Sequence, residues 1–144
     1  MAKRALILFP PGAEETAPVI VFSVLTMGKV DAKICSLCGK DPIRGAQGVR
    51  ILPDIDLKEA RECGPLALLA HEVLFGKSLT GYPTAKTELA TKYTYKECPV
   101  IIDETLVTSK GPGTAFLFAK TLLELLTDKK TACEVAQAML IEEK

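Results

Sequence analysis

Short apolar runs that alternate with helical patterns constrain the fold of this chain most strongly. The first run, residues 5–9, is wholly apolar and stops at Pro10-Pro11, as expected of a buried parallel strand. Residues 14–27 then place their apolar side chains on a broad helical face, with Pro18 near the start of the helix. Because this alternation continues along the chain, we predict an α/β sandwich around a mainly parallel sheet.

The same signals predict the remaining elements. Further strands are expected at residues 32–37, 49–52, 77–82, 94–95, 100–102 and 106–108. Helices are expected at residues 65–75, 85–92, 115–126 and 132–141, with a short charged helix or loop at residues 56–62. Strands 5–9, 32–37 and 106–108 are the most apolar and the best delimited, so we expect them to share one sheet.

Composition and charge exclude several classes of protein. The 144 residues, of which 48% are hydrophobic and 25% charged, are typical of one soluble globular domain spanning residues 1–144. Eighteen basic residues balance eighteen acidic ones and are scattered along the chain. We therefore expect no nucleic-acid partner, because such a partner requires a basic patch.

The distribution of apolar residues and cysteines predicts a cytoplasmic protein. Residues 5–9 are too few for a signal peptide, and no apolar stretch reaches the length of a membrane span. An odd number of cysteines without a secretory signal favours free thiols over a disulfide framework. The five cysteines are Cys35, Cys38, Cys63, Cys98 and Cys133.

Seven short motifs follow one another in a fixed order over nearly the whole chain. They are Lys3-Arg4-Ala5-Leu6, Gly12-Ala13-Glu14-Glu15, Gly39-Lys40-Asp41-Pro42, Leu52-Pro53-Asp54, Ala67-Leu68-Leu69-Ala70-His71-Glu72, Tyr93-Thr94-Tyr95 and Thr108-Ser109-Lys110-Gly111-Pro112-Gly113-Thr114. In this order they resemble the Parkinsonism-associated deglycase family of the PfpI superfamily.

The resemblance implies a flavodoxin-like three-layer sandwich that forms a homodimer, with residues 14–27 contributing to the dimer interface. It also implies glyoxalase and deglycase chemistry on methylglyoxal and its adducts, together with a response to oxidative stress. A cysteine on a strained strand-to-helix turn, activated by a glutamate, performs this chemistry on a small reactive aldehyde. We expect neither a cofactor nor a metal.

The sequence departs from the family after Cys63. There the family continues through a central strand, a Pro-Gly-Gly loop, a helix and a second central strand, whereas this chain passes from Gly64-Pro65 directly into an apolar helical pattern. We therefore predict an internal deletion of a few dozen residues near positions 63–66. The sheet would be shortened by the loss of central strands, which predicts low stability or association.

Two interpretations of Cys63 follow from this deletion. Aligned from the downstream side, Cys63 falls beside the family's nucleophile, with Gly64 in the pocket and Glu15 as the first candidate for a nearby carboxylate. Aligned from the upstream side, Cys63 only ends a charged surface helix. A nucleophile turn requires a hydrophobic strand that leads into the cysteine, and residues 56–62 are charged at helical intervals, which favours the second interpretation.

Other positions of the resembled site have also changed. The family's glutamate partner corresponds to Ala17, a histidine near the cysteine corresponds to Tyr82, and a pocket arginine corresponds to Met27. Of the pocket, Gly111 and Pro112 are clearly retained. The segment around Gly111 could cradle an anion at a helix N-terminus, but a tight turn that starts a helix is the favoured interpretation.

Three further features have simple structural explanations. Cys35 and Cys38 have the spacing of a metal or redox motif, yet on a strand they face opposite sides, which favours thiols buried as small apolar groups. A surface or capping role is favoured for His71 over catalysis. Glu14 and Glu15 are expected to be solvated first-turn charges rather than acids or bases.

Three hypotheses about function remain open. The chain could be an active glyoxalase or deglycase that uses Cys63, a non-catalytic interaction protein, or the incomplete sequence of an active parent. In the second case we expect a homodimer, or a larger association, built on residues 14–27, because the apolar positions there exceed one core-facing stripe. Phe22→Asp would then give a monomer or insoluble protein.

Overall fold

The computed structural model of the protein describes residues 3–62 and 76–141. Its strands are β1 (Arg4–Phe9), β2 (Asp31–Ser36), β3 (Ile43–Arg44), β4 (Arg50–Ile51), β5 (Ile55–Asp56), β6 (Ser78–Leu79), β7 (Thr94–Tyr95), β8 (Val100–Asp103) and β9 (Leu106–Ser109). Its helices are α1 (Thr16–Met27), α2 (Leu57–Glu62), α3 (Lys86–Leu89), α4 (Ala115–Leu126) and α5 (Lys129–Ala138). Single 3₁₀ turns at Pro83–Ala85 and Pro112–Thr114 precede α3 and α4.

Three parallel strands in the order β1, β2, β5 form the largest sheet of the described residues. The pairing of β1 with β2 runs over six residues, and the pairing of β2 with β5 over two. Asp54 extends the second pairing, because its backbone N–H donates to the Ile34 carbonyl at 2.9 Å and its carboxylate accepts from the Ile34 N–H at 2.8 Å. The predicted strands at residues 5–9 and 32–37 are therefore confirmed as parallel neighbours.

The strand predicted at residues 106–108 forms, but its predicted place in the same sheet is wrong. β9 pairs antiparallel with β8, from Val100 opposite Ser109 to Asp103 opposite Leu106, and in the described residues it has no pairing with β1, β2 or β5. Glu104 and Thr105 form a two-residue connection that closes this hairpin locally. Short-range closure carries little loop entropy, which explains why β9 joins its sequence neighbour.

Helix α1 lies between two apolar clusters. Val21, Val24 and Leu25 pack into the first cluster with residues of α4 and α5, including Leu123. Phe22 points the other way and packs against the second cluster, which is formed by Phe9, Ile34 and Ile43. The apolar excess in this helix is therefore largely buried within the chain, on both sides of α1.

Capping side chains set two helix starts that the sequence analysis misplaced. The Glu14 carboxylate accepts hydrogen bonds from the N–H of Thr16 at 2.9 Å and of Ala17 at 3.1 Å, so α1 begins after the glutamate pair rather than at residue 14. Asp128 accepts from the Thr131 N–H at 2.9 Å, and α5 begins three residues earlier than predicted. Both carboxylates satisfy N–H groups that lack partners inside the helix.

Several predictions differ in length or lie outside the described residues. The strand predicted at 49–52 is only Arg50–Ile51, which pairs antiparallel with the unpredicted strand Ile43–Arg44. The strand predicted at 77–82 is Ser78–Leu79, and the helix predicted at 85–92 reduces to α3 after its 3₁₀ turn. The helix predicted at 65–75, with His71, lies outside the described residues. None of the helices described is long and apolar enough to cross a membrane.

Candidate functional site

Gly111 and Pro112 lie at the corner where β9 leads into α4. Thr114 closes this corner, because its hydroxyl donates to the Gly111 carbonyl at 2.8 Å and accepts from the Gly111 N–H at 3.2 Å. The Ser109 hydroxyl is 2.7 Å from the same Thr114 oxygen. The hydroxyl network thus holds the corner as a tight turn before a helix.

Tyr82 borders the same corner. A Cβ atom at Gly111 would lie 3.2 Å from a ring carbon of Tyr82, so the glycine leaves room for the ring to approach the backbone. The neighbouring Gly81 carbonyl accepts a hydrogen bond from the Tyr95 hydroxyl at 2.7 Å. The structure therefore brings together three of the positions that the family resemblance singles out: 82, 111 and 112.

Lys110 contributes positive charge beside Gly111, but Glu97 balances it. Glu97 contacts Lys86 at 2.7 Å and Lys110 at 3.4 Å, and hydrogen bonds first from Lys86 and then from Lys110 hold its pKa below the ordinary value. The Lys86 ammonium also lies 5.7 Å from the centre of the Tyr95 ring. All these groups are solvent-accessible, so they shape the local field more than they stabilise the fold.

Glu15 occupies a different environment from the one predicted. Its side chain is only 6% exposed, so the prediction of a solvated first-turn charge is wrong for this residue. Its carboxylate accepts hydrogen bonds from the backbone N–H of Gln47 at 3.1 and 3.2 Å and of Val49 at 3.3 Å. These donors are more than 30 residues away in sequence, which is why local patterns did not indicate the burial.

Glu14 and Ala17 complete the segment that resembles the family's proton-partner motif. Glu14 is partly buried and caps α1, and hydrogen bonding to Thr16 lowers the pKa of its carboxyl group. Ala17, which stands where the family has a glutamate, lies in the first turn of α1. Each of the two carboxylates in this segment therefore already accepts backbone hydrogen bonds.

The chain reaches Cys63 from a helix. α2 ends at Glu62. A reciprocal capping arrangement fixes the start of α2: the Glu59 N–H donates to the Asp56 carboxylate at 2.9 Å, and the Asp56 N–H donates to the Glu59 carboxylate at 3.4 Å. Cys63 and Gly64, the predicted nucleophile and its neighbour, lie outside the described residues.

The remaining cysteines are free thiols in different surroundings. Cys35 is buried, and its pKa is raised first by burial and second by the nearby charge of Asp56, which makes the thiolate unfavourable. Cys38 is exposed, so the prediction of burial is confirmed for Cys35 and wrong for Cys38. Cys98 and Cys133 are half-buried. In the described ranges no three metal-binding side chains cluster together.

This architecture is similar to that of known proteins. The crystal structure of Drosophila melanogaster DJ-1beta superimposes with a TM-score of 0.93 at 29% identity and covers 99% of this chain and 100% of that chain. Protein dj-1beta of Drosophila melanogaster is 30% identical over 184 aligned positions, covering 98% of this chain and 98% of the relative. Glutathione-independent glyoxalase DJR-1.2 of Caenorhabditis elegans is 30% identical over 167 positions, covering 86% of this chain and 89% of the relative.

The fold is thus that of a flavodoxin-like α/β protein. The profile of the DJ-1/PfpI family matches residues 63–125. Together with the full-length similarity to dj-1beta, this match shows that the chain belongs to the DJ-1/PfpI family.

The alignment with dj-1beta also measures how much shorter this chain is. It extends over 184 positions although the chain has 144 residues, so at least 40 positions (184 against 144) are gaps in this chain. That these positions form one deletion of a few dozen residues stays a prediction. The location of that loss near residues 63–66 stays a prediction.

Proposed function

We propose that this chain is a DJ-1/PfpI family member in which glyoxalase and deglycase chemistry on methylglyoxal and its adducts is impaired or lost. The observation that carries the proposal is helix α2, which occupies the residues directly before Cys63, Leu57–Glu62. An activated thiol of this kind sits where a buried strand turns sharply into a helix, because that turn exposes the sulfur and directs the helix N-terminus toward it. A charged surface helix supplies no such strand.

The carboxylates support the same proposal. A thiol of this family requires a carboxylic acid within hydrogen-bonding distance that can exchange a proton. Glu14 caps α1 and Glu15 is buried against backbone N–H groups, so either residue would have to give up structural hydrogen bonds to act on a thiol. Ala17 offers no carboxylate.

A second function, an active glyoxalase that uses Cys63, is favoured by one specific observation. The family profile begins its match at residue 63, which agrees with aligning Cys63 and Gly64 to the segment downstream of the missing residues. The Caenorhabditis elegans relative carries the name of a glutathione-independent glyoxalase. In this function, Cys63 would attack a small reactive aldehyde at a pocket that includes Gly64, Gly111 and Pro112.

Turnover of methylglyoxal distinguishes the two functions. We expect conversion to lactate near the uncatalysed background, and no change on Cys63→Ser, because a thiol without an activating environment adds little to the rate. Cys98→Ser is the control, since Cys98 is a half-buried thiol in the segment between β7 and β8. A robust rate that Cys63→Ser abolishes and Cys98→Ser preserves would establish the active enzyme instead.

Oxidation of the thiols provides a second, independent measurement. After mild peroxide treatment, peptide mapping should show that Cys38, the most accessible of the described thiols, is oxidised at least as readily as Cys63, and that Cys35 is protected. Selective oxidation of Cys63 would support the active enzyme and a role in sensing oxidative stress. If transcript sequencing recovers a longer parent, both functions should be tested on that parent.

We also propose that the interaction partner in the non-catalytic function is a second copy of this chain, bound through α1. Val19 and Met27 are 43% and 47% exposed, and with Ser23 they are spaced by four residues, so they lie on one face of the helix. Phe22 does not belong to this face, because it packs into the cluster around Phe9. Its replacement by aspartate would damage the fold and is a poor test of dimerisation.

The dimer proposal predicts that Val19→Asp combined with Met27→Asp yields a folded monomer. Two charges placed opposite their own copies across an interface would have to be desolvated without partners. Sedimentation velocity measures the assembly state, and circular dichroism verifies that the variant remains folded. Leu52→Asp serves as the control, because Leu52 is also an exposed apolar residue but lies outside α1. A wild-type chain that sediments as a monomer over a wide concentration range would exclude the dimer.

A further inference from the structure

The hairpin of β3 and β4 turns around a buried carboxylate. Gly48 has a φ of 93°, in the left-handed region, and this conformation directs the N–H groups of Gln47 and Val49 toward one point. The N–H of Gly48 between them donates to the Gly45 carbonyl at 3.1 Å. Backbone amides that converge in this way form a concave anion-binding site, often called a nest. The Glu15 carboxylate occupies that point and accepts from both flanking amides.

Gly45 makes room for the carboxylate. A Cβ atom at position 45 would lie 2.5 Å from Oε2 of Glu15 and 2.7 Å from its carboxyl carbon. Any side chain larger than hydrogen would therefore push the carboxylate out of the turn. The Gly45 N–H also donates to the Val49 carbonyl at 2.8 Å, which closes the turn around its occupant.

Glu15 links this hairpin to the start of α1. Two backbone hydrogen bonds join the same segments, from the Gly12 N–H to the Arg44 carbonyl and from the Ala46 N–H to the Ala13 carbonyl, each at 2.9 Å. The carboxylate adds the only side-chain hydrogen bonds that are described between them. A buried charge is unfavourable unless several donors compensate it, so the turn and the carboxylate depend on each other.

We propose that the turn at residues 45–49 is a binding site for one carboxylate, which Glu15 fills from within the chain. Glu15 is then a positioning residue that fastens the hairpin to α1, and it is not an acid or base of the thiol chemistry. The emptied site would accept a small free carboxylate of the same chemistry, such as formate. This inference holds whether or not Cys63 is reactive, so its failure and that of the proposed function are separate results.

Chemical rescue of Glu15→Ala tests the proposal. In this variant, the amide protons of Gln47 and Val49 should exchange with solvent faster than in the wild type by roughly tenfold or more, as measured by NMR, because each loses a charged acceptor. Sodium formate should restore their protection and raise the melting temperature of the variant. Sodium chloride at equal ionic strength should do neither.

Two further variants keep the test decisive. Glu14→Ala removes the neighbouring carboxylate, so it should speed exchange at Thr16 and Ala17, leave Gln47 unchanged and show no response to formate. If Glu15→Ala does not fold, Glu15→Gln replaces it: the isosteric amide retains one acceptor oxygen, so exchange should still accelerate, without rescue because the site is filled. Unchanged exchange at Gln47 and Val49 in the folded variant, or an equal effect of formate on the wild type, would overturn the proposal.

Discussion

Replacing Leu123 with alanine should lower the free energy of unfolding by about 2–5 kcal/mol, the range measured when a fully buried leucine leaves a cavity. Leu123 is 0% exposed and lies in the main cluster, where α4 packs on α1. A domain of this size has a total stability of about 5–15 kcal/mol. The single substitution should therefore remove a large fraction of it. Urea unfolding followed by circular dichroism measures the change.

Leu125 provides the matched control for this prediction. It is a leucine of the same helix but 54% exposed, so Leu125→Ala removes little buried surface and should change stability by about 0.5 kcal/mol or less. The difference between the two variants isolates burial from helix propensity, because both substitutions introduce the same residue. Equal effects of the two substitutions would mean that the packing of α1 on α4 does not stabilise the chain as described.

Strong local signals account for the parts of the fold that the sequence predicted correctly. α4 spans Ala115–Leu126, as predicted, because a helical apolar pattern follows the Gly-Pro-Gly-Thr turn directly. β1 extends to Phe9 and ends at Pro10-Pro11, where the chain can no longer supply a backbone N–H. In each case a residue with restricted backbone chemistry marks the boundary.

Long-range contacts account for the parts that local patterns could not predict. The burial of Glu15 depends on Gln47 and Val49, and the direction of Phe22 depends on Phe9 in another element. Periodicity identifies that a side chain is apolar or charged, but it does not identify which of two clusters will cover it. The excess of apolar residues in α1 thus led to the prediction of an external partner, but much of this excess is buried inside the chain.

For the candidate site, too, the sequence predicted some features correctly and missed others. The order of the family motifs predicted that Tyr82 and Gly111 belong to one pocket, and the structure places them in contact although 29 positions separate them (111 against 82). The charged periodicity before Cys63 predicted a short helix or loop, and the helix α2 forms there. No local signal identified the hydrogen-bond donors of the Glu15 carboxylate. The left-handed conformation of Gly48 directs amides toward this carboxylate only after the hairpin has folded onto α1.

The contact between α1 and α4 leads to the second large effect, which concerns Gly28. This residue follows α1 with a φ of −77°, a backbone conformation that any residue can adopt, so its lack of a side chain reflects space rather than backbone freedom. A Cβ atom at Gly28 would overlap with Cδ1 of Leu123 and lie 2.8 Å from Cδ2. Because Leu123 is fully buried, it cannot swing into solvent to relieve the overlap.

Gly28→Ala should therefore destabilise the chain by about 1–3 kcal/mol, the usual effect of overpacking a dense core. In the Leu123→Ala background the overlapping methyl groups are absent, so the same substitution should cost close to nothing and the cycle should show a coupling of about 1–3 kcal/mol. Gly113→Ala is the control, because no atom lies within 4 Å of its added Cβ and no loss is expected. Additive effects of the Gly28 and Leu123 substitutions, measured by urea unfolding of all four proteins, would show that the two residues do not meet at this interface.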